Sequence, residues 1–354
     1  MKKRMRSILT GRGPGAAADP PEPAGPNPLA APFRIGALEL PNRIVQAPLA
    51  GIANRAFRMQ SHRHGAGLAV SEMVASMGIV HGNRKTLDML AREPGEGPTG
   101  IQVFGADPAA MAEAARVVRD AGADFVDINM GCPVRKVCST GAGAALLADP
   151  GHAARVIRAM VDAVDIPVTV KMRRGLTPAT SAPAELARRF ADAGAAALFV
   201  HPRAAAEEYE GTADHRITAE VVRAVDVPVI ASGDVLGPGD GRRVLEQAGC
   251  AAVAIGRGAL GYPWIFGDLV AGVARPGPGL DEVVAEIGAF AGHARRVLGE
   301  RRVVGYMRKF YPWYLAGHDI APGLLEAMLR EPSLDGALAM LRAGDPAAAA
   351  TAAA

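Results

Sequence analysis

Cys132 stands between a glycine and a proline in FVDINMGCPVRKVCSTGAGAALL, residues 125 to 147. A cysteine that only packs sits inside an apolar run. This one follows the run, where Gly131 and Pro133 turn the backbone out of an extended segment. The thiol is thereby left in a glycine-rich loop, a position for chemistry rather than packing. Cys138 and Cys250 read as packing residues: Cys250 lies just before an apolar run, and Cys138 has no partner at a meaningful spacing. Lys171 closes the run PVTVK. A lysine turned inward there needs an opposite charge or a ligand, because burying it unpaired is costly. His201, in FVHPR, fits a satisfied core histidine or a ligand contact. Glu207, Glu208 and Glu210, in AAAEEYEG, read as a solvated loop.

The elements that must position these residues are legible as eight short apolar runs. They are RIVQAPLAG (43 to 51), GLAVSEMV (67 to 74), TGIQVFG (99 to 105), DFVDINMG (124 to 131), IPVTVKMRRG (166 to 175), ALFVHPR (197 to 203), VPVIASGD (227 to 234) and AAVAIGRG (251 to 258). They are β-branched and nearly continuous, as parallel strands buried on both faces are. Helical spacing fills the gaps. Asp107 and Asp149 are expected N-caps, each followed by proline at the first helical position. The pattern predicts an α/β chain: a (β/α)8 TIM barrel followed by a small C-terminal all-helical domain. A doubly wound sheet is the alternative, but usually has fewer strands.

In a barrel the chemistry gathers at the C-terminal strand ends. Those ends carry Pro48, Leu49 and Ala50, then Glu72, Gln102, Asn129 with Cys132, Lys171, His201 with Arg203, Ser232–Gly233–Asp234, and Gly256–Arg257. GRGALG (256 to 261) matches the dinucleotide pattern GxGxxG. That motif belongs in a first βα turn, with an acid about 20 residues on at the end of a second strand, and here no further strand follows. Loops after the seventh and eighth barrel strands bind phosphate. SGD and GRG therefore read as a phosphate cradle of backbone N–H groups backed by Arg257. Cradle and lysine together point to a phosphorylated cofactor. FMN fits, with Lys171 stabilising negative charge on the reduced ring and Gln102 offering its amide. Pyridoxal phosphate stays open on chemistry alone.

The chain of 354 residues is long enough for a barrel and a smaller domain, and its net charge of +3 does not by itself point to nucleic acid. Three cysteines fit a reducing cytoplasm, and their spacing does not suggest zinc, so no metal is expected. No stretch reads as a membrane span. MKKRMRSILTGRGPG is basic without the apolar core of a signal peptide, and its glycines and prolines make a poor amphipathic leader helix. By composition, residues 1–32 are a disordered Ala/Pro/Gly-rich extension, 33–273 the barrel, 274–280 a linker, 281–345 a helical domain and 346–354 a disordered tail. In the helical domain Arg301, Arg302, Arg308 and Lys309 precede Trp313 in a basic stretch interleaved with aromatics, which suits phosphate contacts and base stacking.

Taken together, APLAGIANRAFR, SEMV, IQVFG, DINMGCPVRKV with GAGAALL, VTVKMRRG, VHPR, GD and AIGRGALGYPWIF resemble the tRNA-dihydrouridine synthases over about residues 33 to 345. The resemblance implies an FMN barrel that reduces particular uridines of tRNA with NADPH. It implies that Pro48, Leu49 and Ala50 line the flavin and that Gln102 bonds its ring. Lys171 and His201 would contact the flavin, and Ser232, Gly233, Asp234, Gly256 and Arg257 would surround its phosphate end. Cys132 matches the catalytic acid, giving a proton to C5 of uracil opposite the hydride at C6. Asn129, Arg203, Arg301, Arg302, Arg308, Lys309 and Trp313 are assigned to the tRNA, whose target base is expected to flip out of its stack. The chain departs at Ser232, where the family often has asparagine, and at Leu49, where methionine is common. Two other functions are weighed. One is a flavin enzyme on a free pyrimidine, of the dihydroorotate or dihydropyrimidine dehydrogenase type. The other is a non-catalytic RNA-binding barrel. The basic helical segment favours tRNA, and no protein partner is implied.

Overall fold

The computed structural model describes residues 26–348. The disorder expected of 1–25 and 349–354, with the leader reading, lies outside the described residues. The described chain forms two compact units, one of residues 26–258 and 265–273, the other of 259–264 and 274–348.

In the first unit the apolar runs become parallel strands. A hairpin of β1 (Phe33–Ile35) and β2 (Leu38–Leu40) comes first. Then follow β3 (Ile44–Gln46), β4 (Leu68–Val70), β5 (Val74–Ala75), β6 (Thr99–Phe104), β7 (Phe125–Met130), β8 (Val168–Arg173), β9 (Ala197–His201), β10 (Val229–Ser232) and β11 (Ala252–Ile255). All but β5 close a ring, from β3 through β4, β6, β7 and onward to β11, which pairs again with β3. Each predicted run holds one of these eight strands, so the (β/α)8 barrel is the fold. The helices between them start as expected: Asp107 Oδ1 accepts from Ala110 N at 2.7 Å and Asp149 Oδ1 from His152 N at 2.9 Å.

Alternation along each strand separates two cores. Val126, Ile128 and Met130 of β7 face the helices, packed with Val168, Val170, Met172, Leu198 and Val200. Phe125, Phe199, Ile230 and Ala252 face the barrel axis. Gly100 of β6 leaves room for the Phe125 ring, whose Cζ lies 2.1 Å from where a Cβ would be.

Two features escaped the sequence reading. The β1–β2 hairpin contributes Phe33, Ile35 and Leu40 to the inner core. Its two-residue turn needs Gly36 at φ 56°. Residues 26–32, assigned by composition to the extension, belong instead to the barrel unit. Leu29 is buried, and Asn27 Nδ2 donates to the carbonyls of Leu269 and Val270 at 2.7 and 2.8 Å.

The second unit holds helices Leu280–Leu298, Glu300–Met307, Tyr311–Tyr314, Leu324–Arg330 and Leu334–Ala343. Phe290, Tyr306 and Phe310 form its aromatic centre, with ring centroids 4.9–6.0 Å apart. The expected linker is without helix or strand up to Leu280. Residues 259–264 group with this unit rather than with the barrel. Gly261, the last glycine of GRGALG, packs there against the Trp313 backbone, at φ 73°. Among the described residues no helix is long and apolar enough to cross a membrane.

Candidate active site

Adjacent residues in a parallel sheet share a face, so the register stacks the polar strand ends in layers. Gln102 lies beside Asp127 and Asp127 beside Thr169. One layer nearer the C-terminal ends, Asn129 lies beside Lys171. A continuous hydrogen-bond chain joins the layers. Asp127 is 1 % exposed. Its Oδ1 accepts from Thr169 Oγ1 and its Oδ2 from Gln102 Nε2, both at 2.6 Å. Gln102 Oε1 accepts from Asn129 Nδ2 at 2.8 Å, and Asn129 Oδ1 accepts from the backbone N–H of Cys132 at 2.9 Å. Burial pushes Asp127 up to about 7, against Gln102, Thr169 and Lys171, which favour its charge. Burial lowers Lys171 to about 8, with Arg173 acting the same way and Asp127 opposing.

The Cys132 loop is pinned on further sides. Arg173 Nε donates to the carbonyl of Gly131 at 3.0 Å. The Cys132 carbonyl accepts from Ala144 N at 3.0 Å and from Cys138 Sγ at 3.3 Å. Gly143, at φ 63°, is required there: a Cβ would stand 2.8 Å from that carbonyl oxygen. The Cys132 thiol is half-buried, and burial raises its pKa, with the backbone N–H of Val134, Arg173 and Lys171 opposing. It is therefore held as a thiol, the form that can give a proton.

A cleft of about 560 Å³, including its open mouth, is lined by Ala47, Pro48, Leu49, Lys171, His201, Tyr209, Ser232, Gly233, Asp234, Gly256 and Arg257 among others. The structure thus gathers most of the predicted cofactor residues. Ala50 is exposed and lies outside the lining, and Gln102 lies buried, joined to the site through Asn129. Gly233, at φ 128°, leaves no space for a side chain, since a Cβ would come within 3.0 Å of His201 and Ala213. A Cβ on Gly258 would meet the Val235 carbonyl at 2.5 Å, so the SGD and GRG loops meet backbone to backbone. His215 Nε2 bonds the Gly233 carbonyl at 3.0 Å and steadies this turn. Burial, then Lys171, Arg173, Arg203 and Arg257, depress His201 well below the usual histidine range, so it is neutral at pH 7. Its Nε2 lies 3.2 Å from Arg203 Nη1, which can only donate, so Nδ1 carries the proton. A cleft with glycine-lined backbone, Lys171 and Arg257 fits an anionic phosphorylated ring cofactor such as FMN.

Four of the predicted residues make structural contacts that the sequence did not show. Arg203, assigned to substrate, is 3 % exposed. Nε bonds the Glu210 carbonyl (2.9 Å), Nη2 the Gly211 carbonyl (2.7 Å) and Asp234 Oδ2 (2.6 Å), and Nη1 Asp234 Oδ1 (3.0 Å) and His201. Its five N–H donors are spent, so it braces the site. Asp234, assigned to the phosphate end, is an anchor for arginines: besides Arg203 it accepts from Arg257 Nη2 at 3.0 Å and Ala213 N at 2.7 Å. In the helical unit Arg308 Nη2 donates to the Glu331 carbonyl at 2.8 Å, capping helix Leu324–Arg330. Trp313 is half-buried and edge-on to Phe310, centroids 5.4 Å apart, so it extends the aromatic core. Arg301, Arg302 and Lys309 are exposed.

Three site residues were missed. Asp127 was signalled by an acid at inward parity in an apolar run. Arg173 has the same parity as Lys171. Tyr209 had no signal, because its place depends on loop geometry. Its ring is 53 % exposed, with the guanidinium carbons of Arg257 and Arg173 at 4.9 and 5.6 Å.

Fold and site together define a class: a (β/α)8 barrel whose strand ends form a glycine-lined, cationic cleft, with a half-buried thiol in the loop after β7. Comparison with known proteins narrows the class. The family described as Dihydrouridine synthase (Dus) matches residues 45–331. A tRNA-dihydrouridine synthase B of Pseudomonas aeruginosa is 41 % identical over 287 residues, covering 80 % of this chain and 86 % of that protein. A probable tRNA-dihydrouridine synthase of Rhodobacter capsulatus is 40 % identical over 317 residues, covering 87 % and 96 %. Among solved structures, histamine dehydrogenase from Rhizobium sp. 4-9 superposes with a TM-score of 0.55 at 13 % identity, over 75 % of this chain and 51 % of that one, which reflects the shared fold. This chain belongs to the dihydrouridine synthase family.

Proposed function

We propose that this chain reduces the 5,6 double bond of uridines in tRNA, with FMN bound in the cleft, NADPH as reductant and Cys132 as proton donor. Lys171, His201, Gly233, Gly256 and Arg257 would hold the cofactor. FMN, when bound, supplies the hydride that NADPH provides to C6 of the uracil. The chain's own residues do the rest. Lys171 and Arg257 meet negative charge, and Tyr209 offers an aromatic face at the mouth of the cleft for a flipped base. The Cys132 Sγ–H bond breaks as its proton passes to C5. Arg173 and Lys171 favour the thiolate left behind, which regains a proton from water. Arg301, Arg302 and Lys309 serve tRNA phosphates, and the cytoplasm is the expected compartment.

The observation that carries this reading is the placement of the thiol loop. Asn129 holds the Cys132 N–H at 2.9 Å and is paired across the sheet with Lys171. The proposal expects yellow protein that releases FMN on denaturation and, without oxygen, turns over NADPH beyond one equivalent per flavin only when tRNA lacking dihydrouridine is added. Equal turnover with free uracil would shift the reading to a free-pyrimidine enzyme, and bound pyridoxal phosphate would end it.

A further inference from the structure

We infer that Asp127 is a positioning residue for Cys132: its buried carboxylate sets the direction of the hydrogen-bond chain that runs through Gln102 and Asn129 to the Cys132 N–H. The direction follows from the two ends. The backbone N–H of Cys132 can only donate, so Asn129 must turn its oxygen to it and its NH2 toward Gln102. Gln102 must then present its oxygen to Asn129 and its NH2 to Asp127, which accepts. Thr169 closes the far end by donating to the other carboxylate oxygen. Protein groups alone are enough to fix the orientation of both amides. Protonation of Asp127 on Oδ1 leaves the Oδ2 acceptor in place, so the direction survives it.

Packing does not account for an acid here. The outward neighbours of Asp127 on β7 are Val126 and Ile128, and an apolar side chain would fill its place without the cost of burying a carboxyl. The groups facing it are Gln102 from β6, Asn129 on its own strand, and Thr169 and Lys171 from β8. What the carboxyl adds over an apolar residue is an acceptor of fixed place, three bonds from the thiol loop. In catalysis this rests on the proposed role of Cys132. The position of the loop does not.

The test compares holoenzyme variants by the alkylation rate of Cys132 with iodoacetamide, read at the peptide level, and by the two half-reactions in rapid mixing. Asp127→Leu removes the acceptor. It is expected to change the alkylation rate several-fold and slow reoxidation by tRNA ~10–10²-fold, the range for a reacting group displaced by about an ångström. Flavin reduction by NADPH should change much less than reoxidation by tRNA, since that step does not involve the thiol. Asp127→Asn still accepts from Gln102 through its oxygen and should recover most of the loss. If Asp127→Leu does not fold, the chain is read by reversal. Asn129→Asp alone sets two acceptors against each other at Gln102 and should disturb alkylation. Combined with Asp127→Asn it reverses the Gln102 amide, keeps an acceptor for the Cys132 N–H and should restore the wild-type rate. Alkylation unchanged in Asp127→Leu, or equal in Asn129→Asp and the double variant, would overturn the inference. Failure of Cys132 as acid would appear separately, as a Cys132→Ala variant reoxidised normally while the alkylation pattern still holds.

Discussion

Arg203 and Asp234 are joined by two side-by-side hydrogen bonds, Nη1 to Oδ1 at 3.0 Å and Nη2 to Oδ2 at 2.6 Å. The pair ties the end of β9 to the turn after β10. Asp234 sits there at φ 52°, a conformation costly for a residue with a side chain. The Arg203 guanidinium, its hydrogen bond and the Ala213 N–H together hold the Asp234 carboxyl below the usual carboxylate range, against the opposing effect of burial.

Arg203→Lys should therefore fail to substitute, because a single ammonium cannot reproduce the paired bonds. Removing one member of a buried pair costs ~3–5 kcal/mol at the extreme. Titration of apoprotein with FMN should show affinity reduced tenfold or more, with little change in how Cys132 reacts. Unaltered FMN binding would mean that the brace does not shape the cleft.

Gly100 should tolerate no side chain. A Cβ would fall 2.1–2.4 Å from three Phe125 ring atoms, and Phe125 is fully buried. Gly100→Ala is expected to cost ~1–3 kcal/mol as overpacking, seen as a fall of several degrees in Tm. Gly100→Ala with Phe125→Leu should recover part of it. An unshifted Tm would show that the inner core is looser than its geometry implies.

The pH dependence of stability carries the mark of Asp127. Its folded value, about 7, lies above the ordinary 3.8, so the folded state takes up the proton first. The stabilisation is full below about 3.8 and is lost as pH rises through 7. Denaturant unfolding of Asp127→Asn should lack this component. Wild type should gain on the variant as pH falls from 7 toward 4. Parallel profiles would contradict the burial of a titrating carboxyl.

Changing Arg301, Arg302 and Lys309 together to glutamine should weaken tRNA binding and reduce the salt slope of log K by ~2–3, about one for each phosphate contact. Arg308→Gln should instead lower the stability of the helical unit through its lost cap. An equal salt slope in the triple variant would remove these side chains from the RNA interface.

Much of this was legible because parallel strands are buried on both faces and leave unbroken apolar runs. Lys171, His201, Gly233, Gly256 and Arg257 could be read off the strand ends, since a barrel brings every such end to one place. The bracing contacts of Arg203 could not, because its partners include the Glu210 and Gly211 carbonyls, whose position depends on how a loop folds back. The packing of Trp313 went unread for a related reason: Tyr306, Phe310 and Trp313 recur at helical intervals and pack together, which a basic stretch interleaved with aromatics hides. The hairpin strands are three residues each, too short for periodicity to register.

The central claim is that Cys132 gives the proton. Cys132→Ala should keep its flavin and be reduced by NADPH normally, because the cleft residues come from other strands. Its reoxidation by tRNA should slow by ~10² or more, the lower range for loss of a positioned acid. Cys138→Ala removes one donor to the Cys132 carbonyl but leaves the Ala144 N–H on it, and should reoxidise near the wild-type rate. Rapid mixing of the reduced variants with unmodified tRNA is the direct measurement. A hundredfold slowing confined to Cys132→Ala is the predicted result, and reoxidation of Cys132→Ala at the wild-type rate would contradict it.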